Sequence, residues 1–180
     1  RWQAPAVHPN IITALLSPEE IALKREQYDW LISEALAQVL APLDTARDWD
    51  HLVFTVINNL RQVALCYLFT KDVRLMQPVI ELVTALENCE RPYFTYSTCI
   101  GVLDIDLRTA EIAHGLAMVK CCFGNALPKD VRRRMAELVV TRLLVPGLEA
   151  ERTRRYPWME STANWRILIC GGFAVAGMAF

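Results

Sequence analysis

The chain has 180 residues, of which 53% are hydrophobic and 22% are charged, and its formal net charge at pH 7 is −1. This length is enough for one domain with a substantial core, and the composition excludes an intrinsically disordered chain. The net charge gives no overall attraction to nucleic acid or to an anionic membrane surface, so neither is predicted as a partner. An acidic ligand would have to be met by local positive charge.

The first predicted helix begins at Ser17, which can cap it, while Pro18 suits the first turn and Glu20 can reach back to the cap. Apolar residues then recur at a spacing of three and four as far as Val39, and Pro42 follows. The pattern predicts one continuous helix with a single apolar stripe.

A second helix is predicted from Asp48 to Phe69, and it is apolar around most of its circumference, which indicates deep burial. Four polar residues interrupt it midway, namely Asn58, Asn59, Arg61 and Gln62. Polar side chains on a buried helix must find partners or line a cavity. The alternative is that they face solvent on a narrow polar stripe.

After a short connection, a third helix is predicted over residues 73–87, with Pro78 marking either a kink or the real start. A short connection makes antiparallel neighbours, so the second and third helices should form a hairpin. The helical pattern then breaks, and an aromatic-rich loop follows at residues 91–96. Such a loop either lines a carbohydrate cleft or is held to the core by its rings.

The fourth helix is predicted over residues 107–123 and ends at Gly124, as a left-handed cap would require. His114 lies within it and is expected to be a hydrogen-bonded core or boundary residue. A fifth helix begins at residues 128–130, with the arginines at 132–134 mostly on the solvent side. After Gly147 the helical periodicity is lost, and a basic patch that includes Arg154 leads into the last segment.

The last segment, residues 156–180, is polar at its start and ends in an apolar run without charge from Ile167 onward. A loop that feeds a helix can hold ligand-facing groups against the helix start, where unpaired N–H groups and the dipole favour an anion. The alternative is an ordinary buried helix with a capped start. The apolar run is too short to span a bilayer, so no membrane span is predicted here.

Six cysteines are spread among apolar neighbours, without CxxC pairs or histidines at zinc-ligand spacing. The sequence therefore predicts reduced thiols in or near the core and no metal site, and it weakly favours a reducing compartment. The first ten residues lack the pattern of a signal peptide. Because no GxGxxG, P-loop, GxSxG or HExxH motif occurs, no cofactor is predicted.

The predicted fold is all-α, a single domain over residues 1–180 built from antiparallel helical hairpins, without strand-like alternation or a linker. Repeated helical hairpins give either a solenoid or a closed toroid of paired helices. No tetratricopeptide or ankyrin consensus recurs at a fixed period, which favours part of an (α/α) toroid.

Three groups of motif residues follow one another along the chain: 57–62 with 65–72, 103–111 with 127–130, and Ala163, Asn164 and Trp165 with the glycine pair at 171–172. Together they resemble the helical domain of the heparinase II/III-like proteins, polysaccharide lyases with an (α/α) toroid followed by a β-sandwich. The resemblance covers residues 10–180 and only the first part of such a toroid. It implies that the rest of the toroid, the β-sandwich and the proton-handling Tyr and His would follow residue 180.

The chemistry that this resemblance implies is β-elimination at a uronic acid, with an acidic polysaccharide or oligosaccharide as the partner. The proton at C5 can be removed only when the adjacent carboxylate is neutralised, so such a site needs hydrogen-bond donors, a base and an acid. By resemblance, Asn164 is the catalytic amide that neutralises the carboxylate. The chain departs from the family at Ala163, where the Asn-Asn-Trp segment has its first Asn.

Further residues are expected to bind the substrate, by charge, by ring stacking or by the resemblance alone. They are Tyr156, Trp158, Trp165, Arg166, Arg155 and Asn59. Two other classes stay open: a non-catalytic helical binding or scaffold domain of the same ancestry, and an (α/α) glycoside hydrolase, which would need paired carboxylates. The family implies a periplasmic or secreted protein, whereas the cysteines favour a reducing compartment, so the localisation is left open.

Overall fold

The structure is a computed structural model that describes residues 16–90, 94–95, 105–153, 156, 159 and 164–180. Within these ranges it contains helices and no strand, which confirms the predicted all-α class. The α-helices are α1 Pro18–Gln27, α2 Asp29–Leu40, α3 Trp49–Thr70, α4 Met76–Glu87, α5 Leu107–Phe123, α6 Lys129–Val139, α7 Val145–Thr153 and α8 Asn164–Ala179. Short 3-10 helices, Val73–Leu75 and Gly124–Ala126, precede α4 and follow α5, and a π-helical segment, Val140–Leu144, joins α6 to α7.

The capping box at Ser17 forms as predicted. The Glu20 backbone N–H donates to Ser17 Oγ at 3.2 Å, and the Ser17 N–H donates to Glu20 Oε2 at 2.7 Å. The single helix predicted from there to Val39 is wrong, because the chain breaks at Tyr28, which has a non-helical φ of −117°. The charge-rich α1 buries no residue, whereas α2 buries Ile32 and Val39 against the core, so the two segments have no common face to pack.

Helices α3 and α5 lie side by side and run in the same direction. Arg61 pairs with Glu111 near the middle of α3, and Tyr67 stacks on Phe123 near the ends of both helices, with ring centroids 3.8 Å apart. Residue numbers therefore increase in the same direction along the pair. The backbones approach closely at Gly115, where an added Cβ would lie 2.9 Å from Leu60 Cβ.

Helices α5 and α8 repeat this arrangement. Gly172 lies against the backbone of Ala110 near the start of α5, and Lys120 Nζ lies 4.3 Å from the ring centroid of Phe180 near its end. The three helices α3, α5 and α8 thus form one parallel layer, which we call the inner layer. Because they are parallel, their N-termini lie at the same end of the molecule.

The helices between α3, α5 and α8 in the sequence connect the end of one inner-layer helix to the start of the next. A turn of a few residues joins α3 to α4, and the two helices contact each other, which gives the predicted hairpin. A 3-10 turn in the same way joins α5 to α6, and Gly124 enters it with a φ of +53°. Closure of such hairpins into a toroid stays a prediction.

Arginines of α6 and the π segment connect the outer helices to one another. Arg134 binds the carboxylate of Glu87 and donates to Thr84 Oγ1 at 2.8 Å. The sequence predicted that it would face solvent, and it instead joins α6 to α4. Arg133 is exposed as expected and pairs only with Glu137, one turn further along α6.

The loss of helix predicted after Gly147 is wrong, since α7 continues through Thr153. A proline inside an α-helix lacks an N–H donor and clashes with the carbonyl four residues earlier. Here the π segment lies just before Pro146, and the Val145 N–H reaches back to the carbonyl of Val140. This wider turn lets the helix continue past the proline.

The aromatic loop is described at Phe94 and Thr95 only, and there it is held to the core. Phe94 is fully buried and stacks on Trp49, with ring centroids 5.7 Å apart. The Trp49 indole N–H donates to the carbonyl of Thr95 at 3.1 Å. Of the two alternatives for this loop, these contacts match the one in which its rings fix it to the core.

Helix α3 is the centre of the main core and is long and apolar enough, by length and composition alone, to cross a bilayer. It has 22 residues, and an 18-residue window has a mean hydropathy of 1.4. In this fold 56% of that window is buried, as in the central helix of a packed core.

Helix α8 is covered along one face only. Its buried residues are Ile169, Gly172 and Ala176, at the spacing of one helical face. Large apolar residues on its other side, including Ile167 and Met178, are exposed. The charge-free segment is therefore a helix, as predicted, but it is not fully buried.

Candidate functional site

The N-terminal end of the inner layer is built around two capping aspartates. Asp48 accepts a hydrogen bond from the His51 N–H at 3.2 Å, which caps α3. Asp106, which is fully buried, accepts from the N–H groups of Arg108 at 2.8 Å and Thr109 at 3.3 Å, which caps α5. At these two helix starts a carboxylate already satisfies the N–H groups that an anionic ligand would otherwise meet.

Helix α8 begins at Asn164, the predicted catalytic amide. Successive helical residues are rotated by about 100°, so Asn164, Trp165 and Arg166 point in three directions. Asn164 is exposed, and Trp165 is half-buried against a small apolar cluster that includes Ile105. Arg166 is exposed and lines a different surface, described next, so the structure does not bring these three side chains to one point.

A groove of about 640 Å³ runs between α7 and α8. Its wall is mostly apolar, with Phe173 and Leu148 among the larger side chains, and Glu151 and Arg166 supply its charges. Arg166 thus borders an apolar surface of the described residues. The groove is lined by α7 and α8 and does not include residues of α3 or α5.

Tyr156 is 4% exposed and packs in the same small cluster as Met159 and Ile169. Its ring is covered by protein, and a role in stacking against a sugar stays a prediction. Two more of the predicted substrate-binding residues, Arg155 and Trp158, lie outside the described residues.

Asn59 is half-buried on α3, and it does not meet Asn164. It lies two residues before Arg61, about 200° away around the helix, and therefore faces away from α5. Helix α5 separates α3 from α8 in the inner layer. Its predicted contact with substrate stays untested, and its neighbour Arg61 occupies the better-defined polar environment.

The clearest polar cluster lies between α3 and α5, and we call Arg61, Arg108, Glu111 and His114 the polar strip. Arg61 Nη2 donates to Glu111 Oε1 at 3.2 Å, and Arg108 binds the other oxygen of the same carboxylate. Glu111 therefore bridges two guanidinium groups.

An aromatic ring extends the polar strip. The Arg108 guanidinium lies 4.1 Å from the ring centroid of Phe54, a distance typical of a cation–π contact. Phe54, in the second turn of α3, is 43% exposed although it is a large apolar residue. The strip is thus in contact with an aromatic ring of α3.

His114 lies one turn after Glu111 on the same face of α5 and is half-buried. Burial lowers its pKa from the ordinary 6.5, the positive charge of Arg61 lowers it further, and Glu111 acts in the opposite direction. The imidazole is therefore neutral at pH 7.

Sequence reasoning noted Arg61 and His114 but missed that they belong to one cluster, and it missed Arg108 and Glu111 as members. The useful signal was the spacing of Arg108, Glu111 and His114 at every third residue, which places them along one face of α5. The contact with Arg61 joins residues fifty positions apart, and helical spacing does not predict such a pair.

Among the described residues, no three His, Cys, Asp or Glu side chains lie close enough together to hold a metal ion. No family model matches the chain, and no curated protein matches it. The function is therefore argued from the residues and their geometry.

Proposed function

We propose that this chain is the helical, substrate-binding part of a lyase that cleaves uronic-acid-containing polysaccharides by β-elimination. One observation carries the proposal: the inner layer of three parallel helices has its N-termini at one end, and the polar strip with its two arginines lies between two of those helices. An inner ring of parallel helices, linked by outer helices that return the chain, is the architecture of an (α/α) toroid.

The repeated step from α3 to α5 to α8 supports the toroid within this proposal. Helix α8 covers α5 as α5 covers α3, with a glycine at each close approach. The exposed apolar side of α8 is where the next inner helix would pack. We propose the C-terminal remainder of the toroid in the same polypeptide as its partner.

The acidic character of the substrate is supported by local charge. The net charge of −1 gives no general attraction to an anion, yet Arg61 and Arg108 are grouped on one flank with a single carboxylate between them. Grouped guanidinium groups are well suited to carboxylates because they donate paired hydrogen bonds in a plane.

Asn164 is proposed to donate its amide N–H groups to the substrate carboxylate at the start of α8. The first N–H groups of a helix and its dipole favour negative charge, so an amide there adds to an existing preference. Neutralising the carboxylate stabilises the carbanion that forms when the C5 proton leaves. By the family resemblance, the Tyr and His that move protons follow residue 180.

The test is to incubate the protein, including any sequence that follows residue 180, with a panel of uronate polymers. The ultraviolet absorbance of the unsaturated product reports β-elimination directly. Asn164→Ala should lower turnover by about 10²-fold, as removal of one such donor does in other enzymes. Because Asn164 is exposed, its unfolding free energy should change by no more than about 0.5 kcal/mol.

Arg133→Ala is the matched control, since Arg133 is an exposed outer-layer residue away from the inner layer. It should leave turnover unchanged. A folded protein that yields no unsaturated product from any uronate polymer would contradict the lyase proposal. Equal losses of turnover and stability in Asn164→Ala would instead assign that residue a packing role.

A non-catalytic binding or scaffold domain is the second candidate, and the exposed apolar side of α8 favours it as a surface for another helix. It predicts saccharide or protein binding without unsaturated product. A glycoside hydrolase is less well supported. Asp106 is fully buried as a helix cap, and Glu111 is held by two arginines, so neither matches a catalytic carboxylate.

A further inference from the structure

We propose that the groove between α4 and the segment that joins α2 to α3 binds a small primary amine with an apolar body, in its protonated form. The groove has a volume of about 660 Å³, and small-molecule sites typically have volumes of about 300–1,000 Å³. It shares no residue with the polar strip or with the groove between α7 and α8. The inference therefore does not depend on the proposed lyase activity.

The walls of the groove are mostly apolar. Trp49 and Leu52, both buried, belong to the first turn of α3, and Leu43 comes from the segment before it. Ile80 lines the groove from α4. The Trp49 ring is fixed, because it stacks on Phe94. An apolar group of a ligand would therefore meet a preformed surface that includes an aromatic ring.

The charge in the groove is a single carboxylate. Among the described residues that line the groove, Glu81 alone is charged, and it is half-buried. Gln77 Nε2 donates to Glu81 Oε1 at 3.0 Å, which orients the carboxylate. Within the described ranges, no lysine or arginine forms an ion pair with Glu81, and its Oε2 accepts no hydrogen bond. A carboxylate without a counter-ion, beside an apolar wall, is complementary to a cation.

The orientation of Gln77 adds a second acceptor. Because its amide N–H group is directed to Glu81, its oxygen Oε1 is left for a donor from the ligand. A primary ammonium group has three N–H donors and no acceptor, so it can donate to Glu81 Oε2 and to Gln77 Oε1 together. A quaternary ammonium group has no N–H donor. The two acceptors therefore favour a primary amine over its trimethylated form.

The arginines near the groove are engaged elsewhere. Arg134 donates to Thr84, which lines the groove, and its charge is paired with the carboxylate of Glu87. Arg142 donates to the carbonyl of Cys89, which also lines the groove. Both guanidinium groups thus approach the part of the groove formed by the second half of α4. The ammonium group of the ligand belongs at the first half of α4, where the free carboxylate oxygen lies.

The experiment is an NMR titration of the 180-residue protein at pH 7 with 2-phenylethylamine, which is protonated there as a lysine side chain is. The neutral alcohol 2-phenylethanol has almost the same shape and is the comparison ligand. We expect saturable shifts of the Ile80 methyl signals and of the Trp49 indole N–H signal with the amine. Binding of the alcohol, and of the trimethylated amine, should be weaker by about tenfold or more.

Glu81→Gln keeps the size of the side chain and removes its charge. It should weaken binding of the amine by about tenfold or more and leave binding of the alcohol unchanged. Glu137→Gln is the matched control, because Glu137 is an exposed glutamate of α6 that pairs with Arg133 and does not line the groove. It should bind the amine as the unaltered protein does. The three ligands test the same assignment in the unaltered protein, even where a variant does not fold.

Several outcomes would overturn the proposal. They are the absence of shifts at Ile80 and Trp49 in folded protein at millimolar amine, equal affinity for the amine and the alcohol, and equal affinity for the amine in Glu81→Gln. Equal affinity for the trimethylated amine would overturn the selection of a primary amine by the two acceptors. A negative result in the β-elimination test would contradict the lyase proposal and leave this site standing.

Discussion

Arg142 joins the π segment to the end of α4 and to the buried Phe94. It lies in the π segment, and its Nη1 and Nη2 donate to the carbonyls of Leu86 at 2.9 Å and Cys89 at 3.2 Å. Its guanidinium also lies 4.2 Å from the ring centroid of the buried Phe94. The last carbonyls of a helix have no partner within the helix, so Arg142 satisfies the C-terminal end of α4.

Arg142→Ala should therefore lower the free energy of unfolding by about 1.5–3 kcal/mol, because it removes hydrogen bonds from a charged donor to part-buried carbonyls. Arg133→Ala is the control, since that arginine makes an exposed pair within one helix, worth about 0.5 kcal/mol or less. Urea denaturation of both variants measures the difference. Similar small changes in the two would show that the carbonyls find water as a replacement.

The sequence predicts which side chains are buried better than it predicts which side chains contact each other. Leu60, Leu116 and Met135, which stand at helical spacing in their apolar stripes, are buried. The spacing does not predict that Arg142 reaches α4 or that Arg61 reaches α5, because those partners lie more than forty residues away along the chain. Asn59, predicted from the resemblance, lies two residues before Arg61, whose ion pair with Glu111 the structure describes.

The elements themselves are set by local signals, with two exceptions that have physical causes. Caps and turns predict α3, α4, α5 and the start of α6 closely. The break at Tyr28 is not predicted, because apolar residues continue at helical spacing across it. In the structure α1 has no buried face. The helix through Pro146 was missed because a π segment before a proline leaves no mark in the sequence.

Two adjacent glycines of α8 allow the effect of close packing on stability to be distinguished from the effect of helix propensity. At Gly172 an added Cβ would lie 2.5 Å from the carbonyl oxygen of Ala110, and a backbone atom of α5 cannot move aside cheaply. At Gly171 an added Cβ would meet nothing within 4 Å. The two positions share the same helix and differ only in the face on which they lie.

We expect opposite effects from the same substitution at these positions. Gly172→Ala should destabilise the protein by about 1–3 kcal/mol, because it forces α5 and α8 apart. Gly171→Ala should stabilise it by about 0.5–1 kcal/mol, because alanine favours an exposed helix interior over glycine. Thermal and urea unfolding measure both. Stabilisation by both substitutions would mean that the two helices are less closely packed than the structure has them.

The whole molecule is a layered array whose central member is α5. It lies between α3 and α8 and also contacts α6, and most of its residues are buried. Helix α8 is the outermost described member of the inner layer and has one covered face. This order along the layer could not be predicted from the sequence, because periodicity predicts which face of a helix is buried and not which helix covers it.

Hydrogen exchange should follow this order. Backbone amides exchange when a segment opens, and segments with few buried contacts open most easily. We expect the amides in the middle of α5 to exchange slowest, and those of α8 beyond Gly172 to exchange faster by about 10-fold or more, equivalent to about 1.4 kcal/mol of opening free energy. Mass spectrometry of exchanged peptides, at two protein concentrations, makes the measurement. Equal protection of α8 and α5 at both concentrations would contradict the one-sided packing of α8, whereas protection of α8 that rises with concentration would mean that a second chain covers its apolar side.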